Sequence, residues 1–156
     1  MHSRIFQVSM EPIDECDYIE ESNYDDHWFT NSIADYVSDS FSRSEDLKWL
    51  EDCYDTKGIE FGVDDNGEYL VIKSKQKYFE YNFNKFMEII NKIKTYTFDD
   101  FIQDSHEIWQ LENAYEDKFG FYVDTDDNGL ITLDSFVRTY PENEKFYIGG
   151  TIDYHY

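Results

Sequence analysis

Residues 50–67, LEDCYDTKGIEFGVDDNG, recur with few changes as residues 111–129, LENAYEDKFGFYVDTDDNG. When a one-residue deletion and a two-residue insertion are allowed, ten positions are identical, whereas chance would supply about one. The match indicates a duplicated structural unit. We define copy one as about residues 44–73 and copy two as about residues 105–137.

Each copy is predicted to begin with a helix, at about residues 44–54 in copy one and 105–117 in copy two. Ser44 and Ser105 are the expected N-caps, because acidic residues follow each of them. Apolar residues recur at helical spacing in both segments. These stripes are formed by Leu47, Leu50 and Tyr54 in copy one and by Ile108, Leu111 and Tyr115 in copy two.

A β-hairpin is predicted to follow each helix. An Asn-Gly pair separates IEFGVD from EYLVIK in copy one, and FGFYVD from LITLDSF in copy two. Asn-Gly between β-rich runs favours a type I′ turn, in which both central residues have positive φ. We therefore expect two hairpins, each closed by a tight turn.

The remaining segments complete a prediction of an α+β fold in a single domain, residues 1–156. A central amphipathic helix is indicated at residues 79–94 by the spacing of its Phe, Met and Ile residues. The other expected elements are a strand at residues 4–10, helices at 31–37 and 98–103, and one or two closing strands at 145–156. With few prolines and glycines to form linkers, we expect one antiparallel sheet that carries the duplicated units.

The composition is that of a very acidic chain that can still fold. Its 156 residues include 35 Asp and Glu against 13 Lys and Arg, which gives a formal net charge of −22 at pH 7. Disordered acidic chains are poor in aromatic residues, whereas 19% of this chain is Phe, Trp or Tyr. A surface of this sign repels nucleic acid and anionic membranes, so neither is expected as a direct partner.

The location and the redox state of the chain are also constrained by its sequence. No apolar run approaches the ~18 residues that a membrane span needs, and residues 1–15 lack the apolar core of a signal peptide. We therefore expect a cytoplasmic protein. Cys16 and Cys53 stand far apart without metal-ligand spacing, and both are expected to be buried free thiols.

The charge is unevenly distributed along the chain. The net charge is −15 over residues 1–68, +4 over residues 69–98 and −11 over residues 99–156. The middle stretch is a basic island that contains Lys73, Lys75, Lys77, Lys85, Lys92 and Lys94. These lysines either solvate one helix and reduce the chain's own repulsion, or form a second contact surface of opposite sign.

The densest acidity lies in residues 11–26, EPIDECDYIEESNYDD, which we call the acidic segment. Eight of its sixteen residues are carboxylates, and Tyr18, Ile19 and Tyr24 lie among them. These apolar anchors predict a segment that lies against the body of the protein and presents its carboxylates outward. The expected partner-binding residues are Asp14, Glu15, Asp17, Tyr18, Glu20, Glu21, Tyr24, Asp25 and Asp26.

Residues 124–131 match the first eight positions of a calcium loop that would span residues 124–135, with oxygen donors at Asp124, Asp126 and Asn128. Position 12 of such a loop supplies a bidentate Glu, but here it is Ser135. No metal site is therefore predicted, although a calcium-binding module through this loop stays an alternative.

The sequence also lacks the common catalytic motifs. HExxH, GxSxG, GxxxxGK[ST] and GxGxxG are all absent from the chain. The four histidines are His2, His27, His106 and His155, and they are scattered; His27 is expected to be a packed or capping residue. Neither an enzyme nor a cofactor is predicted.

The net charge has the magnitude of a nucleic acid of the same size. A folded chain of this length is about 40 Å across, and duplex DNA of that length carries about 23 phosphate charges. In size, acidity, aromatic content and its acidic segment, the chain resembles the small DNA-mimic inhibitors of phages and mobile elements, the antirestriction and anti-CRISPR proteins. The resemblance is one of composition, without a diagnostic motif.

The resemblance implies an inhibitor whose partner is a basic nucleic-acid-binding protein, in particular a nuclease. An alternative with similar electrostatics is an immunity protein that neutralises a nuclease toxin. Both hypotheses place the contact on exposed carboxylates, with aromatic residues among them as apolar anchors.

Overall fold

The computed structural model describes residues 1–103 and 106–156. One sheet forms the centre of the fold, with strand order β3-β4-β7-β1-β5-β6 and with β2 paired to β7. Its strands are β1 (His2–Ser9), β2 (Tyr36–Asp39), β3 (Ile59–Asp64), β4 (Gly67–Ile72), β5 (Tyr122–Thr125), β6 (Gly129–Thr132) and β7 (Lys145–His155). The expected α+β class is confirmed.

Six α-helices lie among the described residues, together with two 3₁₀ helices at Glu15–Asp17 and Glu21–Tyr24. The α-helices are α1 (Trp28–Ser32), α2 (Arg43–Tyr54), α3 (Lys75–Ile93), α4 (Phe98–Gln103), α5 (His106–Tyr115) and α6 (Leu133–Thr139). None of these described helices has the length and apolarity needed to cross a membrane.

The sheet is antiparallel at every pair except one. Strand β1 pairs antiparallel with β7 and parallel with β5, so the sheet is mixed. The parallel pair is possible because copy one and α3 to α5 lie between the two strands in sequence, which provides the long crossover that parallel pairing requires.

Both faces of the sheet are covered, and the alternation of β1 shows why. Phe6 and Val8 point into a larger core cluster with Leu50, whereas Ile5 points into a second cluster with Phe29. Successive side chains of a strand point to opposite faces. A central strand with apolar residues of both parities is therefore buried on both sides.

The predicted helix at residues 31–37 is wrong. The helix α1 ends at Ser32, and β2 follows, pairing with β7 from Tyr36 opposite His155 to Asp39 opposite Ile152. The alternating pattern of this short segment and its backbone pairing with a buried strand outweigh a helical period that spans less than two turns.

The helix starts also differ from the prediction in detail. In α2 the N-cap is Ser42, whose hydroxyl accepts from the Glu45 N–H, and not Ser44. The expected N-cap Ser105 lies outside the described residues. Helix α3 begins earlier than predicted, because Ser74 caps it by accepting from the Lys77 N–H.

Both hairpins are confirmed, but their turns are not of type I′. Positive φ falls on Gly67 and Gly129 and not on the asparagine before either of them. The paired residues are Asp64 with Gly67 and Thr125 with Gly129, so the loops hold two and three residues. A further difference is that residues 133–136, predicted as strand, begin α6. Its first turn is capped by the preceding residue, whose hydroxyl accepts from the Ser135 N–H.

The two copies occupy opposite edges of the sheet and join it differently. Copy one joins through its second strand, β4, which runs antiparallel to β7. Copy two joins through its first strand, β5, which runs parallel to β1. A twofold axis would place equivalent strands at both junctions, so the duplication does not form a quasi-twofold surface.

Both cysteines are free, as predicted. Cys53 is half-buried in α2, but Cys16 is exposed, so its expected burial is wrong. Cys16 belongs to the 3₁₀ turn Glu15–Asp17, none of whose residues is buried.

Candidate functional site

The acidic segment is attached to the sheet through Gln7 of the central strand. Its Nε2 donates to the Asp17 carbonyl at 2.9 Å, and its Oε1 accepts from the Ile19 N–H at 3.1 Å. The same Oε1 accepts from the Gly150 N–H at 3.0 Å. One side chain therefore ties the middle of the segment to β1 and β7 together.

The segment lies so close to β7 that a side chain at position 150 would collide with it. A Cβ on Gly150 would stand 2.9 Å from both the nitrogen and the carbonyl oxygen of Ile19. Real Cβ atoms essentially never approach backbone so closely. Glycine at this position is therefore what allows the segment to pack on the sheet.

The two tyrosines of the segment point inward. Tyr24 is 1% exposed, and its hydroxyl donates to Asp124 Oδ2 at 2.6 Å. Burial, reinforced by the Asp124 charge, raises the pKa of Tyr24 far above its usual value, so the phenol stays protonated. Tyr18 is half-buried, and the guanidinium carbon of Arg43 lies 5.3 Å from its ring centroid. Tyr24 is an anchor of the segment and not part of its surface.

The seven acidic residues predicted to bind a partner are all exposed. They are Asp14, Glu15, Asp17, Glu20, Glu21, Asp25 and Asp26. None of the ion pairs found within residues 1–103 and 106–156 includes any of them. Two of the seven also hold the backbone: Glu20 caps the second 3₁₀ helix, and Glu21 accepts from the Asp39 N–H at 3.3 Å.

Three further carboxylates, which sequence reasoning missed, lie beside the segment. Asp39 accepts from the Glu21 N–H at 2.8 Å. Asp126 accepts from the Ser9 hydroxyl at 3.0 Å, and it lines a depression of about 150 Å³ with Asp127 and Glu11. These contacts join positions 18 and 117 residues apart, for which the sequence carries no local signal. We call the acidic segment together with Asp39, Asp126 and Asp127 the acidic surface.

Two of the three candidate oxygen ligands of the calcium-like loop accept hydrogen bonds from protein groups. Asp124 accepts from Tyr24, and Asp126 accepts from Ser9. Asn128 donates through Nδ2 to the Tyr140 hydroxyl at 2.9 Å. Within the described ranges, no group of three or more His, Cys, Asp or Glu side chains is arranged to hold a metal ion.

Three of the four histidines, His2, His27 and His155, make structural contacts. His27 is the N-cap of α1, because its Nδ1 accepts from the Phe29 N–H at 3.3 Å, as predicted. His2 lies 2.8 Å from Asp153, and His155 lies 3.1 Å from Asp35.

The basic island is partly used within the fold. Lys73 pairs with Glu60 at 3.6 Å, and Lys92 pairs with Glu107 at 3.3 Å. Lys75 Nζ donates to the Arg138 carbonyl at 2.7 Å. Lys75 and Lys92 therefore hold α3 to the rest of the protein, whereas Lys73 precedes α3 and pairs within copy one.

A cavity of about 820 Å³ lies among α1, α3, α5 and the β5–β6 hairpin. Aromatic rings dominate its lining, namely Trp28, Phe86, Trp109, Tyr115, Phe119 and Tyr122. Glu112, Glu116 and Lys118 are its charged lining residues. Cavities of this size and lining are typical of binding sites.

No protein-family model, curated protein or solved structure matches the chain.

Proposed function

We propose that the protein is a binding protein that inhibits a nucleic-acid-binding enzyme, of the nuclease class, by presenting carboxylates in place of phosphates. The observation that carries the proposal is the state of the acidic segment. Its eight carboxylates are exposed and outside the ion pairs of the described chain, while its backbone is attached to the sheet. The charges are thus held in place without being neutralised.

Fixed, unpaired carboxylates are energetically unfavourable for the free protein. Like charges repel one another, and this repulsion opposes the compact state. A basic partner removes the repulsion when it binds, so the cost borne during folding is recovered in the complex. Because the segment is already ordered, little conformational entropy is lost on binding.

Electrostatic attraction also determines how such a complex forms. A surface with many charges of one sign accelerates the encounter with an oppositely charged channel, and salt weakens this effect. An enzyme that binds duplex DNA has a channel suited to a density of one negative charge per ~1.7 Å. We therefore expect competition between the protein and duplex DNA for the same channel.

The proposal is tested by capture and competition. The immobilised protein is used at low salt to capture partners from the source cell, and each captured protein is purified. We expect an enzyme whose binding to fluorescent duplex DNA is competitively reduced by the protein. We also expect the complex to weaken strongly between about 50 and 200 mM salt. Undiminished DNA binding at saturating protein, or a complex indifferent to salt, would contradict the proposal.

A matched pair of variants shows whether the acidic segment makes the contact. The first variant replaces five carboxylates of the segment by Lys, at Asp14, Glu15, Asp17, Asp25 and Asp26. It leaves Glu20 and Glu21 unchanged because they bind the backbone. The control reverses five exposed acidic residues elsewhere, namely Glu51, Asp55, Glu80, Glu88 and Glu144. Both variants change the net charge equally.

The segment variant should bind the partner roughly thirtyfold or more weakly, because each exposed charge pair contributes up to about 1 kcal/mol. The control should lose much less affinity, through the change in long-range field alone. Equal losses in the two variants would show that net charge, and not the acidic segment, determines binding.

A further inference from the structure

The cavity of about 820 Å³ is bordered by the apolar stripe of copy two. The matching stripe of copy one is covered by the core: Leu50 is 1% exposed, whereas Leu111 at the same position of copy two lines the cavity. Tyr54 stacks on Tyr78 within the core, at 5.5 Å between ring centroids, whereas the matching Tyr115 is 55% exposed. The apolar stripe of copy two is therefore not buried in the core.

The lining combines aromatic rings with an unpaired carboxylate. Trp28 and Trp109 are 51% and 55% exposed, although indole rings of this size are usually buried. Glu116 is half-buried, and its Oε1 accepts from the hydroxyls of Thr132 and Ser135, the latter at 2.7 Å. No ion pair of the described chain includes Glu116, so two hydroxyls orient a carboxylate that lacks a cationic partner there.

The charge at the cavity favours a cation as occupant. Glu112 and Glu116 are opposed by Lys118, whose amine is 5.8 Å from the Phe119 ring centroid. Aromatic faces attract cations, most strongly when the cation is removed from water. The pKa of Tyr122 in the lining is raised by burial and, secondarily, by the Glu116 charge, which places that charge close to the ring.

The cavity is linked to the acidic segment through Trp28, which follows that segment by two residues. The ring centroid of Trp28 lies 5.5 Å from that of His27, which lies 5.6 Å from that of Tyr24 in the segment. Binding energy in protein interfaces is concentrated in aromatic and arginine anchors in pockets, with charged residues around them. The acidic surface supplies the charged residues of such an interface, and the cavity supplies the pocket.

We propose that this cavity receives an arginine side chain of the protein that binds the acidic surface. The inference rests on the proposed function. Arginine is favoured over lysine because its planar guanidinium both stacks on aromatic rings and binds a carboxylate through two nitrogens. The fold already contains an arginine stacked on aromatic rings, with the guanidinium carbon of Arg138 4.5 Å and 4.2 Å from the ring centroids of Phe79 and Tyr115.

The test uses a probe that does not require the partner. Acetyl-Leu-Arg-Leu-amide is titrated against the ¹⁵N-labelled protein, and the same peptide with citrulline, which is neutral and nearly isosteric, is the control. We expect the indole signals of Trp28 and Trp109 to shift while that of Trp49 does not. The citrulline peptide should bind at least about tenfold more weakly, because the cation–π and ionic contacts are lost.

Two substitutions identify the groups responsible. Glu116→Gln keeps an acceptor for Thr132 and Ser135 but removes the charge, and Trp109→Ala removes a ring. Each should weaken binding of the arginine peptide by about tenfold. Glu51→Gln, at the position of copy one that matches Glu112, should leave binding unchanged. Glu116→Gln is the decisive variant if Trp109→Ala lowers stability.

The outcomes separate this inference from the function on which it rests. Equal binding of the two peptides, or arginine-peptide binding unaffected by Glu116→Gln, overturns the cavity inference. If the arginine peptide shifts only the backbone signals of residues 14–26, the cavity inference is wrong and the acidic surface still binds cations. If the cavity binds the peptide but no captured enzyme loses DNA binding, the proposed function fails by itself.

Discussion

Copy one and copy two share ten residues, yet the fold treats them differently. In copy one, the helix α2 packs its stripe into the larger core cluster, where Leu50 is fully buried. In copy two, the helix α5 leaves the same stripe against an open cavity, with Leu111 and Tyr115 in its lining. The motif therefore specifies the helix and the hairpin, but not what covers the helix.

The difference arises from how each copy joins the sheet. In copy one, Asp46 of α2 accepts from Arg4 Nε at 2.5 Å and from the Thr151 hydroxyl at 2.8 Å, so α2 is bound to the two central strands. Helix α5 has contacts with α3 instead, including the pair of Lys92 and Glu107. A duplicated unit that stabilises the core at one edge can thus present the same residues to a partner at the other.

The largest effect expected from this comparison is on stability. Leu50→Ala should reduce the free energy of unfolding by about 3 kcal/mol, since it removes a buried side chain and leaves a cavity. Leu111→Ala should cost less than about 1 kcal/mol, because its side chain already borders an opening. Urea unfolding of the two variants measures both values. Similar losses would show that copy two contributes to the core as copy one does.

A smaller effect is expected from the polar attachment of α2. Asp46→Asn should lower the free energy of unfolding by about 2 kcal/mol, because a buried carboxylate that pairs with Arg4 is lost. The loss is moderated because Arg4 keeps its second partner, Asp153. The control is Asp52→Asn, which removes an exposed partner of Lys48 in the same helix and should cost much less.

If Asp46→Asn cost no more than Asp52→Asn, α2 would not depend on its attachment to the central strands. The contrast with α5 would then rest on apolar packing alone. Urea unfolding at one fixed pH decides between these outcomes, since both substitutions remove one carboxylate from the same helix.

Much of the fold could be predicted from local patterns. Both hairpins, the helices α2, α3, α4 and α5, and the first and last strands of the chain, β1 and β7, follow from hydrophobic periodicity and turn residues. Helix 31–37 could not, because strand pairing with β7 decides the conformation of so short a segment. The exposed carboxylates of the acidic segment were also predicted, since Tyr18, Ile19 and Tyr24 indicated its attachment.

Long-range contacts are what the sequence left undetermined. Distant positions are joined by three sets of hydrogen bonds. Gln7 binds both the acidic segment and Gly150, Tyr24 donates to Asp124, and Ser9 donates to Asp126. No periodicity or motif encodes such pairs in a single sequence. The open stripe of copy two was likewise hidden, because Leu111 and Tyr115 have the same spacing as their buried counterparts.

The smallest expected effect is a difference in how acid affects the two copies. In copy one, hydrogen bonding from Arg43 lowers the pKa of Glu68. In copy two, burial raises the pKa of Asp134, and the Asp117 N–H and the Tyr78 hydroxyl partly offset that rise by donating to it. In each case opposing contributions leave a modest net shift.

The two shifts have opposite consequences for stability. The advantage of the wild type over Glu68→Gln should be complete above the unfolded pKa of about 4.3 and should disappear as pH falls through the lower folded value. Asp134 is favourable when protonated, so the wild type should gain relative to Asp134→Asn as pH falls from 7 to about 4. Urea unfolding of the three proteins between pH 7 and 3 measures both trends.

Comparison with these variants cancels the general effect of acid on a chain of such high negative charge, since all three proteins lose nearly the same repulsion. The stability of the wild type relative to Glu68→Gln and its stability relative to Asp134→Asn should change in opposite directions with pH. If both changed in the same direction, burial would not disfavour the ionised form of Asp134. Opposite trends would show that copy two keeps an ionised group in its core at neutral pH. They would also show that the ionised carboxylate of Glu68 in copy one stabilises the fold.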